Sequence, residues 1–438
     1  MATLSIRTFQ SNDPAFKRYL LKHAVTGVDA TAEVEPAVRS ILEDVRVRGL
    51  EAVLEYTRRF DGVDLGPEDI EVPLAERRAA LRAVPRTQRD ALREAAKRIR
   101  AYQRKLLPKG WMRTAGDETL GQLVLPMERA GLYVPGGTAA YPSSVLMNAL
   151  PAKIAGVPEV VMVTPPGKDG VPPLVLAAAE IAGVDRVFRI GGAQAVAALA
   201  YGAGVPQVDK IVGPGNKYVA AAKRLVFGTV SIDMVAGPSE ILVLADGTAE
   251  AEWVAVDLLS QAEHDEDAVA RLITWEPGFC EAVAGYLEKH LARIPRASIA
   301  RKSLRKHGAL IQTDGVEQAV ALANRFAPEH LELCCAGARE VLEGIKHAGA
   351  VFVGNYTPEA VGDYMAGPNH VLPTGGTARF SSPLGPYDFV KRTSVMSFDA
   401  HALARYTGAI TALADAEGLT AHGDSVRIRT GKVERGDG

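Results

Sequence analysis

The sequence predicts an α/β protein: two doubly wound parallel-sheet domains, each Rossmann-like but incomplete, with small helical segments at the N- and C-termini. Three observations lead there. Strand-like apolar runs alternate with helix-patterned runs from about residue 130. The alternation restarts near residue 240. Glycine-rich turns follow three of the apolar runs and open helical ones, as loops at the carboxyl ends of parallel strands do. Those carboxyl ends are therefore the expected place for a site.

Residues 1–130 read as charged and helical. Apolar residues recur at helical spacing through Pro36–Val53, at Val38, Ile41, Leu42 and Val45, and again at Leu92, Ala95, Ile99 and Tyr102 behind a capping-box-like Thr87–Asp90. Then come Val160–Thr164 with a helix over Pro173–Ala182, Arg186–Ile190 with Ala193–Tyr201, and Val208–Val212 with Lys217–Phe227. The second series runs Ile241–Ala245, a helix over Trp253–His264, Val269–Trp275, Ala309–Gln312, a helix over Val316–Phe326, and Val351–Val353. From Ser381 the pattern loosens into a polar, mostly helical tail with a frayed end at Lys432–Gly438. This divides the chain into an N-terminal helical arm (1–30), a first α/β domain (31–130 with 237–380), a second α/β domain (131–236) and a C-terminal arm (381–438).

Bulk properties narrow the class. With 438 residues, several domains are expected. Hydrophobic residues make up 47% and charged residues 23%, as in soluble globular proteins. A formal net charge of -2 gives no nucleic-acid footprint and no polybasic membrane anchor. No apolar run approaches the roughly 18 residues that span a bilayer, and the N-terminus has no basic-then-apolar leader. The three cysteines, Cys280 and the vicinal Cys334–Cys335, form neither a disulfide framework nor a C-x-x-C pair, which suits a reducing cytoplasm. Any metal must then rest on nitrogen and oxygen ligands.

Four segments supply such ligands: Gln261–His264, Glu329–His330, Asp363 with His370, and Glu417 with His422. Gln261 and His264, three apart near a helix end, share a face. Asp265, Glu266 and Asp267 follow where a helix dipole disfavours negative charge. Gly367–Pro368 prevents a continuous helix between Asp363 and His370, making a shaped loop. Glu329 and His330 lie in an extended segment, where neighbouring side chains point opposite ways and serve different proton transfers better than each other. The turns Tyr133–Gly137, Gly191–Gln194 and Gly213–Lys217 place backbone N–H groups at helix starts, where a phosphate is welcome. No G-x-G-x-x-G is present.

At these residues the chain resembles the histidinol dehydrogenases. The resemblance rests on GLYVPGGTAAYPSSVLMNALPAKIAGV, GGAQAVAALAYG, KIVGPGNKYV, IDMVAGPSEILVLAD, LLSQAEHD, FAPEHLEL, GDYMAGPNHVLPT, SPLGPYDFVKR and EGLTAH, in order from about residue 130 to residue 422. It implies an NAD-dependent, zinc-dependent four-electron oxidation of L-histidinol to L-histidine through enzyme-held L-histidinal, the last step of histidine biosynthesis. It implies zinc ligands at Gln261, His264, Asp363 and His422, the last from a partner subunit, and a base pair at Glu329 and His330. Substrate contacts fall on Ser239, Gln261, His264, His330, Asp363, His370, Glu417 and His422, and nucleotide contacts on Tyr133, Gln194 and Asn216. One Zn2+ per subunit, two NAD+ per turnover, a cytoplasmic homodimer with shared active sites, and no nucleic-acid or membrane partner complete the expectation. The alternatives are a related zinc-dependent dehydrogenase of another amino or sulfonated alcohol, or a zinc metallohydrolase, which would need no nucleotide site.

Overall fold

In the computed structural model, residues 5–23, 31–136 and 141–431 are described. Gly137 and the Lys432–Gly438 tail lie outside them. The described strands are, in chain order, β1 (Arg7–Gln10), β2 (Trp111–Ala115), β3 (Glu118–Pro126), β4 (Arg129–Tyr133), β5 (Glu159–Val163), β6 (Arg186–Phe188), β7 (Lys210–Val212), β8 (Ser231–Ile232), β9 (Glu240–Ala245), β10 (Val269–Thr274), β11 (Ala309–Gln312), β12 (His330–Cys334), β13 (Ala350–Val353) and β14 (Val390–Phe398).

Two sheets are wholly parallel. One has the order β1-β11-β10-β9-β12-β13, the other β6-β5-β4-β7-β8. With β1 set aside, both follow the 3-2-1-4-5 order of a doubly wound sheet, and each stops short of a sixth strand of that order. The predicted fold class is therefore present. β9, β10 and β12 are buried along their whole length, which explains why their sequences are continuous apolar runs with few polar interruptions. The polar exceptions, Glu240, Arg271, His330 and Glu332, are all buried, where each needs a partner to offset its lost hydration.

The chain folds as two compact units. The first, residues 1–106 and 127–389, holds both parallel sheets. The second, residues 107–126 and 390–438, is an antiparallel β14-β3-β2 sheet with the helices Ala400–Ala416 and Thr420–Arg427.

Several local expectations need correction. Residues 1–130 are not uniformly helical: β1 adds an edge strand to the first parallel sheet, and β2 and β3 form a hairpin. β2 is exposed along its whole length and β3 is mostly half-buried and mixed in composition, so the hairpin carries no clean apolar alternation. The tail is not mostly helical at its start, because β14 pairs with β3 over nine residues. The helical run Pro36–Val53 breaks at Gly49 (φ 62°) into helices Glu35–Arg48 and Leu50–Asp61. Thr87 caps nothing, since the helix Arg86–Gln103 already starts behind Pro85 without a side-chain cap.

Candidate active site

The helix Ala251–Ala262 returns from the carboxyl end of β9 to the amino end of the first sheet, delivering Gln261 in its last turn and His264 just beyond it. Glu329 immediately precedes β12 and His330 is its first residue, paired in register with Ile241 of β9. The candidate metal and base residues thus gather at the amino ends of β9 and β12. In this sheet the candidates therefore lie at the edge opposite to the expected carboxyl ends. The reason is topological: the helix after β9 runs antiparallel to the strand, so its C-terminal residues reach the opposite edge.

Glu329 and His330 do not hydrogen-bond to each other; Glu329 Oε2 and His330 Nδ1 are 3.7 Å apart. Both instead grip one residue of β9. Glu329 Oε2 accepts from the Glu240 N–H at 2.8 Å, and His330 Nδ1 contacts the Glu240 carbonyl oxygen at 3.0 Å. A carbonyl only accepts, so Nδ1 carries the proton and Nε2 keeps its lone pair. That Nε2 is buried and has no hydrogen-bond partner among the described residues. Burial holds the His330 pKa down at about 4, with Asp363 and the Glu240 carbonyl opposing. His330 is therefore a neutral imidazole near pH 7. Burial pushes Glu329 well above the usual carboxylate range; its bond to the Glu240 N–H opposes the shift, and the Glu240 and Asp363 charges add to it.

The approach to this pair is fixed by backbone. Ala327 takes φ 48°, the one positive φ among described non-glycine residues, and ends the helix Val316–Phe326. Such a conformation costs an L-residue roughly 1–2 kcal/mol and is held only by its surroundings. Gly349 N–H donates to Pro328 O at 2.9 Å, and a Cβ on Gly349 would stand 2.6 Å from Glu329 O.

Gln261 is buried. With its amide oxygen accepting from His264 Nδ1 at 3.0 Å, its NH2 lies 3.2 Å from both Glu359 oxygens. Glu359 Oε1 is 3.7 Å from His330 Nδ1. Donor atoms of His330, Glu359 and Asp363 all lie within 4.8 Å of one another. Nitrogen and oxygen donors of five side chains thus converge, and the set suits a borderline divalent cation. Glu359 escapes the sequence reading. Its four-residue spacing from Asp363 is the available signal, obscured by Gly362 and the turn that follows. Burial, then the charge of Asp363, raises the Glu359 carboxyl well above its ordinary value. Glu332, two residues into β12, accepts from the Glu359 N–H at 2.8 Å and so fixes where that acid stands.

Ser239 precedes Glu240, and its carbonyl accepts from Val269 N–H at 2.9 Å. His370 is half-buried, its Nε2 has no protein partner, and burial lowers its pKa. The acidic run after His264 has a surface explanation: Glu266 pairs with Lys302 at 2.6 Å and Asp267 pairs with Lys306. Glu417 and His422 belong to the second unit, where both are exposed.

The nucleotide candidates follow the carboxyl-end rule. Tyr133 closes β4; its hydroxyl accepts from the Gly192 N–H at 3.0 Å, and burial pushes the phenol up to about 12. Gln194 is fully buried with both amide atoms lacking a protein partner. Asn216 caps the helix Lys217–Val226, accepting from Tyr218 and Val219 N–H at 3.0 and 3.2 Å. Gly213 (φ 113°) is pressed against β4: a Cβ there would meet Tyr133 O at 2.1 Å. Tyr133 and Asn216 follow β4 and β7, where the strand order reverses, and Gln194 follows β6 on the helix whose Gly192 N–H bonds the Tyr133 hydroxyl.

The family model described as histidinol dehydrogenase matches residues 26–430. The histidinol dehydrogenase of Syntrophotalea carbinolica is 55% identical over 426 residues, covering 97% of this chain and 99% of that protein. That of Pseudomonas putida is 53% identical over 437 residues, covering 99% of each. The crystal structure of histidinol dehydrogenase from Elizabethkingia anophelis superposes with a TM-score of 0.91 at 33% identity, covering 99% of this chain and 100% of that one. Sequence and fold agree, and the chain belongs to the histidinol dehydrogenase family of oxidoreductases.

Proposed function

We propose that the protein oxidises L-histidinol to L-histidine in two NAD+-dependent steps at a zinc-containing site, holding the intermediate aldehyde between them. The observation that carries this is the buried Glu329–His330 pair on Glu240, with a neutral, unpartnered imidazole nitrogen beside a cluster of metal donors.

In the first step His330 Nε2 takes the hydroxyl proton while a hydride leaves the same carbon, giving the aldehyde. In the second, Glu329 takes a proton from water as its oxygen adds to the carbonyl. The carbonyl oxygen takes back the proton held on His330, giving the hydrate, and the freed His330 then takes a hydroxyl proton from the hydrate as the second hydride leaves. Burial raises the Glu329 carboxyl above the usual carboxylate range, which makes the ionised group a stronger base. Gln261, His264 and Asp363 are the ligands we assign to zinc in this chain, with Glu359 steadying Gln261. A partner subunit's His422 completes the set, and its Glu417 contacts substrate. When bound, zinc supplies a fixed charge that orients the substrate's imidazole and amine, and NAD+ accepts hydride in each step. Ser239 and His370 complete the substrate contacts. Tyr133, Gln194 and Asn216 receive the dinucleotide: Gln194 offers two unpartnered buried polar atoms, and the capping role of Asn216 leaves its NH2 available.

Residues 131–236 form the nucleotide side in this reading, 31–130 with 237–380 the metal and base side, 1–30 an N-terminal arm, and 381–438 an arm that packs on the partner of a homodimer. The second unit exposes Trp111, Met112, Met396, Leu413 and Ile428, apolar surface of the kind a partner covers. Cysteine usage favours the cytoplasm; among described residues, no helix is long and apolar enough to cross a membrane.

The test is absorbance at 340 nm with histidinol and NAD+. Two NADH per histidinol, with no trappable aldehyde, is the expected outcome. One NADH with stoichiometric free histidinal would overturn the two-step reading, and no NADH at all would overturn the activity.

A further inference from the structure

We propose that Glu240 and Arg271 are positioning residues for the proton-transferring pair, a buried buckle that fixes Glu329 and His330 in register without touching substrate. This rests on the assignment of Glu329 and His330 given above.

The argument starts from the backbone of Glu240. Its N–H holds Glu329 and its carbonyl holds the Nδ1 edge of His330. Glu240 is the first residue of β9, and the β9–β12 pairing begins one residue later, at Ile241 and His330. Glu240 is paired with Val269 of β10 but with no residue of β12, so on the β12 side its side chain helps to set its place. Its Oε2 pairs with Arg271 of β10 at 3.2 Å, and its Oε1 accepts from the Gly375 N–H at 2.5 Å.

Arg271 grips the other side of the same pair. Its guanidinium lies 4.6 Å from the ring centroid of Phe326, the last residue of the helix that ends three residues before Glu329. Its Nε donates to the Tyr19 hydroxyl at 3.0 Å. One ion pair therefore braces both the strand that receives the two side chains and the helix end that presents them. Glu240 and Arg271 are almost wholly buried, at 6% and 3% exposure. A buried ion pair is weak evidence for stability, because desolvation offsets the attraction. Retaining one here is better explained by geometry: charge pairs hold separation and angle more strictly than apolar contacts.

The experiment compares Glu240→Ala, Arg271→Met, the double variant Glu240→Leu/Arg271→Met, Glu329→Gln and His330→Asn as full-length, zinc-loaded protein. Thermal midpoint, zinc content, kcat and KM are measured with histidinol and with histidinal. Misplacement of a catalytic group by about 1 Å costs about 100-fold. The expected result is a loss of roughly 10- to 100-fold in kcat for both substrates in Glu240→Ala and Arg271→Met. KM values and zinc content stay near wild type. The double variant leaves no unpaired buried charge, so its thermal midpoint recovers while kcat stays low. Should the single variants fail to fold, the double variant decides. Wild-type kcat in the double variant, or in a folded single variant, overturns the proposal. Wild-type activity in Glu329→Gln and His330→Asn would instead overturn the reading on which it rests.

Discussion

Replacing Glu329 by glutamine exchanges one oxygen for an NH2 group and isolates a single chemical role. The retained amide oxygen still accepts from the Glu240 N–H, a 2.8 Å bond in the native protein. Burial raises the native carboxyl above the ordinary carboxylate range, so the site already disfavours charge there, and glutamine keeps the shape without a charge. The change in stability should stay within about 1 kcal/mol, the scale of one adjusted hydrogen bond. Catalysis should change far more, and in one step only. A general base contributes about 100- to 10,000-fold, which is about 3–5 kcal/mol of barrier. Histidinol oxidation to the aldehyde, where His330 takes the proton, should slow only a few-fold. Aldehyde oxidation should slow by the full factor, because water is no longer deprotonated. Stopped-flow absorbance at 340 nm with an aldehyde trap should then show one fast NADH and captured histidinal in place of two. His330→Asn should slow both steps. Histidinal oxidation at the wild-type rate by Glu329→Gln would remove Glu329 from the mechanism.

Other outcomes follow from the same geometry. Gly349→Ala sets a methyl 2.6 Å from Glu329 O, so it should lower kcat and destabilise by about 1–3 kcal/mol in thermal or denaturant unfolding; unchanged kcat would show that the Glu329 backbone yields without consequence. Gly213→Ala combines φ 113° with a 2.1 Å clash on Tyr133 O and should raise the NAD+ KM while sparing zinc content; an unchanged NAD+ KM would place the dinucleotide elsewhere. Chelation should abolish activity and zinc restore it, with affinity falling as pH drops through about 6.5, where unperturbed histidines protonate; full activity in protein shown metal-free by elemental analysis would reject the site. In that metal-free protein, raised Glu359 gives stability present below about 4.5 and lost as pH rises through its folded value. Glu359→Gln should accordingly unfold at a higher temperature than wild type on the alkaline side, with the gap closing in acid. Inactive His422→Ala and His264→Ala proteins, mixed under subunit exchange, should regain activity, since a heterodimer has one site with both lesions and one with neither; verified heterodimers that stay inactive would reject the shared site.

The alternation of β9, the helix behind it, β10, β11 and the helix Val316–Phe326 was legible because each is set by local periodicity: neighbouring residues share one sheet face or helix stripe. The ligand chemistry of Gln261, His264, Glu329, His330 and Asp363 was legible too, since residue type decides what a side chain can bind or protonate. The hairpin of β2 and β3 was not, because its exposed and half-buried strands carry no clean apolar alternation, and β14 was hidden by depending on a partner strand more than 260 residues earlier. Gathering the site at the amino ends of β9 and β12 depended on the return path of a helix, which sequence periodicity does not encode. Glu359 and Glu240 show the same limit from the chemical side. Glu359 stands four residues before Asp363 but is masked by Gly362 and a turn, and Glu240 has no ligand-like spacing at all: it lies 89 residues from Glu329 and 31 from Arg271, and comes to hold Glu329 and His330 only when parallel pairing sets β9 beside β12 and β10. Side-chain chemistry is a property of the residue, whereas a shifted pKa, a fixed tautomer or a shared backbone partner is a property of the neighbours that folding supplies.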